Sequence, residues 1–458
     1  MANASGPITA LHVPAGQVFA AKANASYSVN GTQLSYRKGS LEGSKSLLYY
    51  IGSGTHGRGF IFEEQGQLFQ SPVAYFGEAR GWDVAPGYEN ETSVFLSRKV
   101  EPACLACHSS GPKFAEGTVS CERCHGPGES HVEAIRASGK IGVIVNPAKL
   151  APEQRDSVCA QCHLTGETRV FKPGRSEATY RPGDLLADHV VPFVWANPDQ
   201  AEFKVVGHFE GLWQSKCKRV SGDKLSCLTC HDPHVQVPAF EKAAYYRAKC
   251  LGCHEQTACK VKAGSCVSCH MPTRATTDGQ HTAFTDHAIR RLPLADQKST
   301  HSPELVAFWP ARTTERDYAL ADADTGNWQK AREELLRVAS PDAAAASQLA
   351  YTYDMTGEPA KAEPLYESAL KADPNNLVAL TNFGIHLARR GKLAQAAELW
   401  KRALAINPGL VPPALNLARI EWRLDQHAEA IATVRNVLSL NPDSVPALAL
   451  LKDLEAVR

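Results

Sequence analysis

Ser226-Cys227-Leu228-Thr229-Cys230-His231-Asp232-Pro233-His234 carries two cysteines three positions apart and a histidine directly after the second. Residues three apart lie one turn apart on a helix, so both sulfurs reach one side and the next residue turns its imidazole the same way. The pattern recurs as Cys104-Leu-Ala-Cys107-His108, Cys121-Glu-Arg-Cys124-His125, Cys159-Ala-Gln-Cys162-His163, Cys250-Leu-Gly-Cys253-His254 and Cys266-Val-Ser-Cys269-His270, six copies in all. Random order at this composition would give about 0.02 copies.

Two sulfurs at this spacing can bond the two vinyl positions of one porphyrin, and the following imidazole then meets the iron. The motifs therefore imply six covalent haem c groups. Cys-x-x-Cys pairs also build zinc sites, but zinc does not require a histidine after every second cysteine, and here it follows six times.

Each iron needs a sixth ligand or an open face. Methionine is almost excluded, since the chain has only Met1, Met271 and Met355. Bis-His ligation is expected, with lower potentials than Met/His haems. His386 and His427 fall on helical repeats and read as surface residues. The chosen distal ligands are His56, His131, His208, His234, His281 and His287; His12, His189 and His301 are spares. His131 follows His125 through a Gly-Pro-Gly turn, and His234 closes the stretch quoted above.

Outside the motifs the chain changes character several times. Residues 1–100 contain no cysteine. Runs such as Ser46–Ile51 and Gly59–Glu63 alternate with turn residues, and Gln65-Gly66-Gln67 reads as a hairpin turn, so a small β-containing cap is expected. Residues 101–290 hold every cysteine, with weak apolar periodicity and frequent Gly, Pro and Ser. Such a stretch could hardly bury a core alone; with porphyrins as the core, short helices and loops suffice. Residues 291–311 read as a linker.

Residues 312–458 are Ala- and Leu-rich and repeat. Pro374, Pro408 and Pro442 recur every 34 residues, with Ala350, Gly384 and Ala418 at one shared position, Ala362, Ala396 and Ala430 at another, and Tyr366, Trp400 and Val434 at a third. Helix pairs with small residues at the crossing explain this pattern, which resembles the tetratricopeptide repeat. Full repeats start near Ala343, Leu377 and Val411, a shorter one near Arg312, and Asp443 to Arg458 reads as a capping helix. The expected architecture is mainly α: a haem-cored domain with little regular structure and a small β-containing N-terminal part, followed by an all-α repeat solenoid.

The motifs with their flanks carry a wider likeness. Cys121-Glu-Arg-Cys124-His125-Gly-Pro-Gly with His131, the stretch from Ser226 to His234, and Ser265-Cys-Val-Ser-Cys-His-Met-Pro272 with Thr285-Asp-His287 resemble the bacterial multihaem cytochromes with C-terminal tetratricopeptide repeats. Those are related to the tetrahaem electron acceptor of hydroxylamine oxidoreductase. The resemblance spans about residues 46–458 and includes His208. It implies bis-His haems and a periplasmic or surface location. Relatives often carry a further Cys-x-x-Cys-His near the N-terminus, which this chain does not have.

Composition narrows function further. Forty-nine Lys plus Arg balance 48 Asp plus Glu, so nothing points to nucleic acid. Six haems, each with two propionates, would bring the assembly to roughly −11. No run of 18 apolar residues exists, and no transmembrane segment is expected. Haem is attached to such motifs outside the cytoplasm, so the protein is expected to be exported, periplasmic or extracellular. Met1 to Gly31 has no basic region followed by an apolar run; a leader is then missing from this numbering, or Met1 is an artificial start. Cys217 and Cys259 belong to no motif and are either a disulfide or two buried thiols.

The expected function is electron transfer without enzymatic activity. Redox proteins or other cytochromes would be partners, and the repeats would dock a peptide or protein. The protein is either a discrete carrier or a subunit of an extracellular cytochrome filament. The alternative is a reductase of nitrogen or sulfur oxyanions with one open-face haem. No nucleophile, phosphate loop or carboxylate pair rises above background, so no catalytic residues are assigned.

Overall fold

The computed structural model describes residues 5–52, 54, 57–77, 80–109, 119–140, 142–196, 202–255, 265–279, 281–291, 304–309 and 312–456. By contacts the chain divides into two compact units, residues 1–118 with 313–458, and residues 119–312. The boundaries at 100, 290 and 311 follow changes in composition; contacts join the first segment to the last.

In the first of these units, alternating apolar residues build an eight-stranded sheet, larger than the cap expected from sequence. Its strands are β1 (Ser5–Pro7), β2 (Gly16–Ala20), β3 (Ala25–Asn30), β4 (Gln33–Lys38), β5 (Leu41–Ile51), β6 (Arg58–Glu64), β7 (Gln67–Tyr75) and β8 (Trp82–Val84). They run β2-β3-β4-β5-β6-β7-β8 in space, and β1 pairs with β5. The antiparallel pairs follow the chain because short turns join them. Glu64 pairs with Gln67, and Gln65 and Gly66 between them both take positive φ, 51° and 73°, as a two-residue hairpin turn requires. Period-two alternation sends Ala25, Tyr27 and Val29 of β3 inward. They join Leu34, Leu47, Phe60, Phe62 and Phe69, and Leu440 from the far end of the chain completes that core.

The same unit contains the helical repeats. Helix pairs Ala343–Met355 with Pro359–Ala372, Leu377–Arg389 with Leu393–Ile406, and Val411–Arg423 with His427–Leu438 follow the 34-residue period. A shorter pair, Glu315–Asp324 with Trp328–Leu335, precedes them, and Val445–Ala456 closes the array. All three shared repeat positions are buried: Ala350, Ala362, Tyr366, Ala396, Trp400, Ala418, Ala430 and Val434 each expose 2% or less. Gly384 is small for a physical reason, since a Cβ there would stand 2.3 Å from Trp400 Nε1. His386 departs from expectation. It is buried, and its Nδ1 meets Asp354 Oδ1 at 2.7 Å.

The second unit has short helices, long loops and a small core of Ala160, Leu164, Tyr180, Leu186, Val190 and Phe209. Trp309 packs on Phe209 at 4.9 Å between ring centroids. The stretch read as a linker therefore contributes to this unit. Leu305–Ala307 forms a strand on Val190–Trp195 because its apolar run finds an open edge there. Large apolar side chains remain uncovered, among them Val143, Val220 and Phe240 at 88%, 76% and 84% exposure. No helix among the described residues is long and apolar enough to cross a membrane.

Candidate haem-binding site

Each motif sits on a short helix or a single helical turn. The helices are Pro102–His108, Glu122–His125, Pro152–His163, Cys227–Cys230 and Cys266–His270, while Cys250 ends Lys242–Leu251. The amides of His125, His231 and His254 donate to the carbonyls of Cys121, Cys227 and Cys250, each at 2.9 Å. This closes one α-turn and puts both sulfurs and the imidazole on one side.

Local chemistry starts these turns. Pro102 and Pro152 stand at first helical positions, where a missing N–H costs nothing. Ser226 and Thr229 form a capping box over Cys227–Cys230. The approach to that motif is anchored by Lys218. Its ammonium lies 3.5 Å from buried Asp156, donates to Leu225 O at 2.8 Å and sits 4.1 Å above the Trp213 ring. Asp156 belongs to the helix of the third motif, so this ion pair brings the third and fourth motifs together. The Cys159 and Cys227 side chains lie close together there. Cys250 and Cys266, of the fifth and sixth motifs, also lie near each other.

The histidines are pre-set for iron. His125 Nδ1 donates to Val145 O at 2.7 Å, and His270 Nδ1 to Arg290 O at 2.8 Å. A carbonyl only accepts, so Nδ1 carries the proton and Nε2 keeps its lone pair. His231 Nδ1 lies 3.4 Å from the Tyr246 hydroxyl. Burial holds His108, His163, His231 and His287 below the ordinary imidazole range. The neutral form so favoured is the one that binds metal.

Three of the chosen distal histidines lie beside proximal ones. The His234 and His125 ring centroids lie 5.8 Å apart, with ring planes 21° from parallel. His208 lies 5.6 Å from His163 with ring planes 83° apart, and His287 lies 6.0 Å from His231 with ring planes 28° apart. Local bonds aim each of them. Asp232 Oδ1 accepts the His234 amide at 2.9 Å and turns the Asp-Pro-His corner. His208 opens the helix His208–Gln214. Asp286 Oδ1 accepts the Ala288 amide at 2.9 Å, and its other oxygen meets Arg274 at 3.2 Å, bracing the loop of His287.

The remaining distal choices are placed differently. His131 lies on the helix Glu129–Ser138 and lines a cavity of about 700 Å³ with Cys121, Glu122, Gly128 and Val132. Its buried Nδ1 has no hydrogen-bond partner. His281 is exposed, at a φ of 61°. His56 and His301 lie outside the described residues, as does Cys259, and with it the disulfide expectation. His12 is exposed. His189 is engaged by protein groups, with Asp184 at 3.3 Å from Nε2 and Thr179 at 3.1 Å from Nδ1.

These residues fit haem c. The sulfur pairs and imidazoles share a side, His125, His270 and His287 donate through Nδ1 and so present Nε2, and exposed apolar side chains leave surface for a porphyrin to cover. No group of three or more His, Cys, Asp or Glu among the described residues is gathered to hold a bare metal ion.

The comparisons agree with this geometry where they reach. Residues 218–258 match the doubled CXXCH motif family, which spans the fourth and fifth motifs. Residues 343–376 and 387–454 match two tetratricopeptide repeat families. The doubled motif supports haem c binding and electron transfer, and the repeats support a protein or peptide partner. No curated protein matches the chain. Similar solved structures include MamA AMB-1, 23% identical over 31% of this chain and 80% of that one, with a TM-score of 0.29. Pseudomonas aeruginosa pilF is 23% identical over 31% of this chain and 67% of that one, at 0.28. The first TPR of Spaghetti (RPAP3) bound to an HSP90 peptide is 24% identical over 25% and 94%, at 0.23. At such TM-scores these likenesses carry no argument.

Proposed function

We propose that the chain carries electrons through six covalently attached, mostly bis-His c-type haems, and that its repeats dock a protein partner. The reading rests on one observation above others: three proximal imidazoles each have a second imidazole beside them at a centroid distance of 5.6–6.0 Å. Haem c, when bound, supplies a one-electron iron couple.

The protein's own residues do the rest. The twelve motif cysteines would hold the groups in place, the motif histidines would meet the irons, and the carbonyls of Val145 and Arg290 orient His125 and His270 so that each presents Nε2. Distal histidines close the second face and oppose substrate access, which favours a carrier over a reductase. Export to the periplasm or cell surface, and kinship with the tetrahaem acceptor of hydroxylamine oxidoreductase, belong to this proposal. A discrete carrier and a filament subunit are both consistent with it, and electron microscopy at high concentration separates them.

The test is a pyridine haemochrome assay on the exported protein together with low-temperature paramagnetic resonance. About six haems per chain with mainly low-spin signals are expected. A colourless product, or zinc in place of iron, overturns the reading. Carbon monoxide binding to most of the reduced haems would overturn the bis-His assignment.

A further inference from the structure

We propose, building on the haem reading above, that three of the irons are held by the pairs His125/His234, His163/His208 and His231/His287. The last two pairs then adjoin through contact between their distal rings, His208 and His287.

Two imidazoles bound on opposite sides of one metal, each through a bond of about 2 Å, have ring centroids about 6 Å apart. The distances of 5.8, 5.6 and 6.0 Å meet that requirement. Four of these rings form a continuous run, His163 to His208 to His287 to His231, and its middle step decides the pairing. His208 and His287 are only 4.8 Å apart, edge to face. That is ordinary ring contact, too close for an iron between them. The run therefore divides into two pairs in one way: His163 takes His208, and His231 takes His287.

The protonation of the rings agrees. His287 Nδ1 donates to Thr285 O at 2.8 Å, as His125 Nδ1 does to Val145 O, so each presents Nε2. The backbone agrees as well. Gly211, one turn after His208, lies so close to the loop of His287 that a Cβ there would meet Ala288 N at 3.2 Å and His287 C at 3.3 Å. The helix carrying His208 thus rests directly on the residue after its neighbour ring. On the proximal side, the Cys159 and Cys227 side chains lie close together, so the attachment points of the two groups are near each other too. His125 and His234 stand apart as a separate, more exposed pair; the His234 side chain is 73% exposed before a porphyrin covers it.

An electron resident on one member of the His163/His231 couple should raise the cost of placing a second on the other, because the two sites touch. Reduction of these two haems should therefore be split into separate waves even where their surroundings are alike.

The pairing is read by crossing distal substitutions with removal of single attachment sites in the full haem-loaded chain. His208→Met and His287→Met should each keep the full haem count, since attachment uses the Cys-x-x-Cys-His turn. Each should replace one bis-His low-spin signal with a Met/His signal of higher potential. In a Cys227→Ala/Cys230→Ala background, His287→Met should leave the remaining spectrum unchanged while His208→Met still acts. In a Cys159→Ala/Cys162→Ala background the pattern should reverse. A His287→Met signature that survives loss of the Cys227/Cys230 site overturns the pairing and leaves electron transfer standing. Absence of haem from the wild type overturns both. A crystal structure of the haem-loaded wild type reads the same pairs without any substitution, and any other partner for His163 or His231 refutes them.

Discussion

Asp443 Oδ2 accepts a hydrogen bond from the amide of Val94 at 2.9 Å, across 349 positions of sequence. The same oxygen meets Lys38 at 2.7 Å. Around it the Leu96 amide donates to Leu440 O at 3.0 Å, and Ser97 Oγ to Asn441 Oδ1 at 2.8 Å. The turn after the last full repeat, marked by Pro442, is thus the surface on which the N-terminal sheet is closed. Asn441 serves both sides, since its Nδ2 donates to Gly409 O at 3.1 Å in the preceding repeat turn.

Asp443→Ala should therefore destabilise sheet and last repeat together, by about 1–3 kcal/mol, because it leaves the Val94 amide unpaired and Lys38 with Thr92 O alone. Thermal melting, with hydrogen exchange at Val94, measures it. Unchanged exchange at Val94 would show that apolar packing of Leu440 carries the join instead.

Gly384→Ala should cost about 1–3 kcal/mol by overpacking. Trp400 Nε1 donates to Thr381 O at 3.1 Å and has no room to retreat without losing that bond. Melting of the repeat segment is the readout. A second change, Trp400→Leu, should make Gly384→Ala milder than it is alone; equal costs in both backgrounds would rule out this contact.

Lys218→Ala strips the ammonium from buried Asp156, whose side chain is 4% exposed. Arg155 still reaches Asp156 at 3.3 Å, so the cost should fall near the lower end for a broken buried pair, about 3 kcal/mol. Chemical denaturation of the haem-loaded protein measures this. No loss would mean that Arg155 alone satisfies the carboxylate.

Tyr246→Phe removes the hydroxyl beside His231 Nδ1. A bond from Nδ1 to that oxygen makes the imidazole a stronger donor to iron and favours the oxidised state. Its loss should raise the potential of one haem by on the order of 1 kcal/mol, roughly 40 mV for one electron. Redox titration of both proteins decides, and a downward shift would contradict the hydrogen-bond direction.

The parts legible in the chain are those written in short-range spacing. Cysteines three apart with a following histidine occupy one helical turn whatever surrounds them, and the closed turns at His125, His231 and His254 follow from that. The 34-residue period fixes helix pairs and small crossing residues because each repeat packs only on its neighbours. The hairpin at Gln65-Gly66 was readable because a glycine flanked by polar residues breaks two apolar runs.

Other features needed the folded chain. The extent of the N-terminal sheet was hidden because its outlying strands β1 and β8 have only three residues each and strands such as β3 are polar on one face. The burial of His386 depends on Asp354, a residue of the preceding repeat. The strand Leu305–Ala307 inside an apparent linker exists only because Val190–Trp195 offers it an edge.

By itself the sequence determined where the six Cys-x-x-Cys-His turns lie and where the repeats begin, since both are properties of nearby residues on one helix. Only the tertiary structure decided that His234 lies beside His125, His208 beside His163 and His287 beside His231, and that Val94 and Leu440 share a core unit. Those partners are distant in sequence, and nothing in local spacing encodes a meeting that depends on how loops, ion pairs such as Lys218 with Asp156, and close-approaching glycines such as Gly211 bring separate segments together.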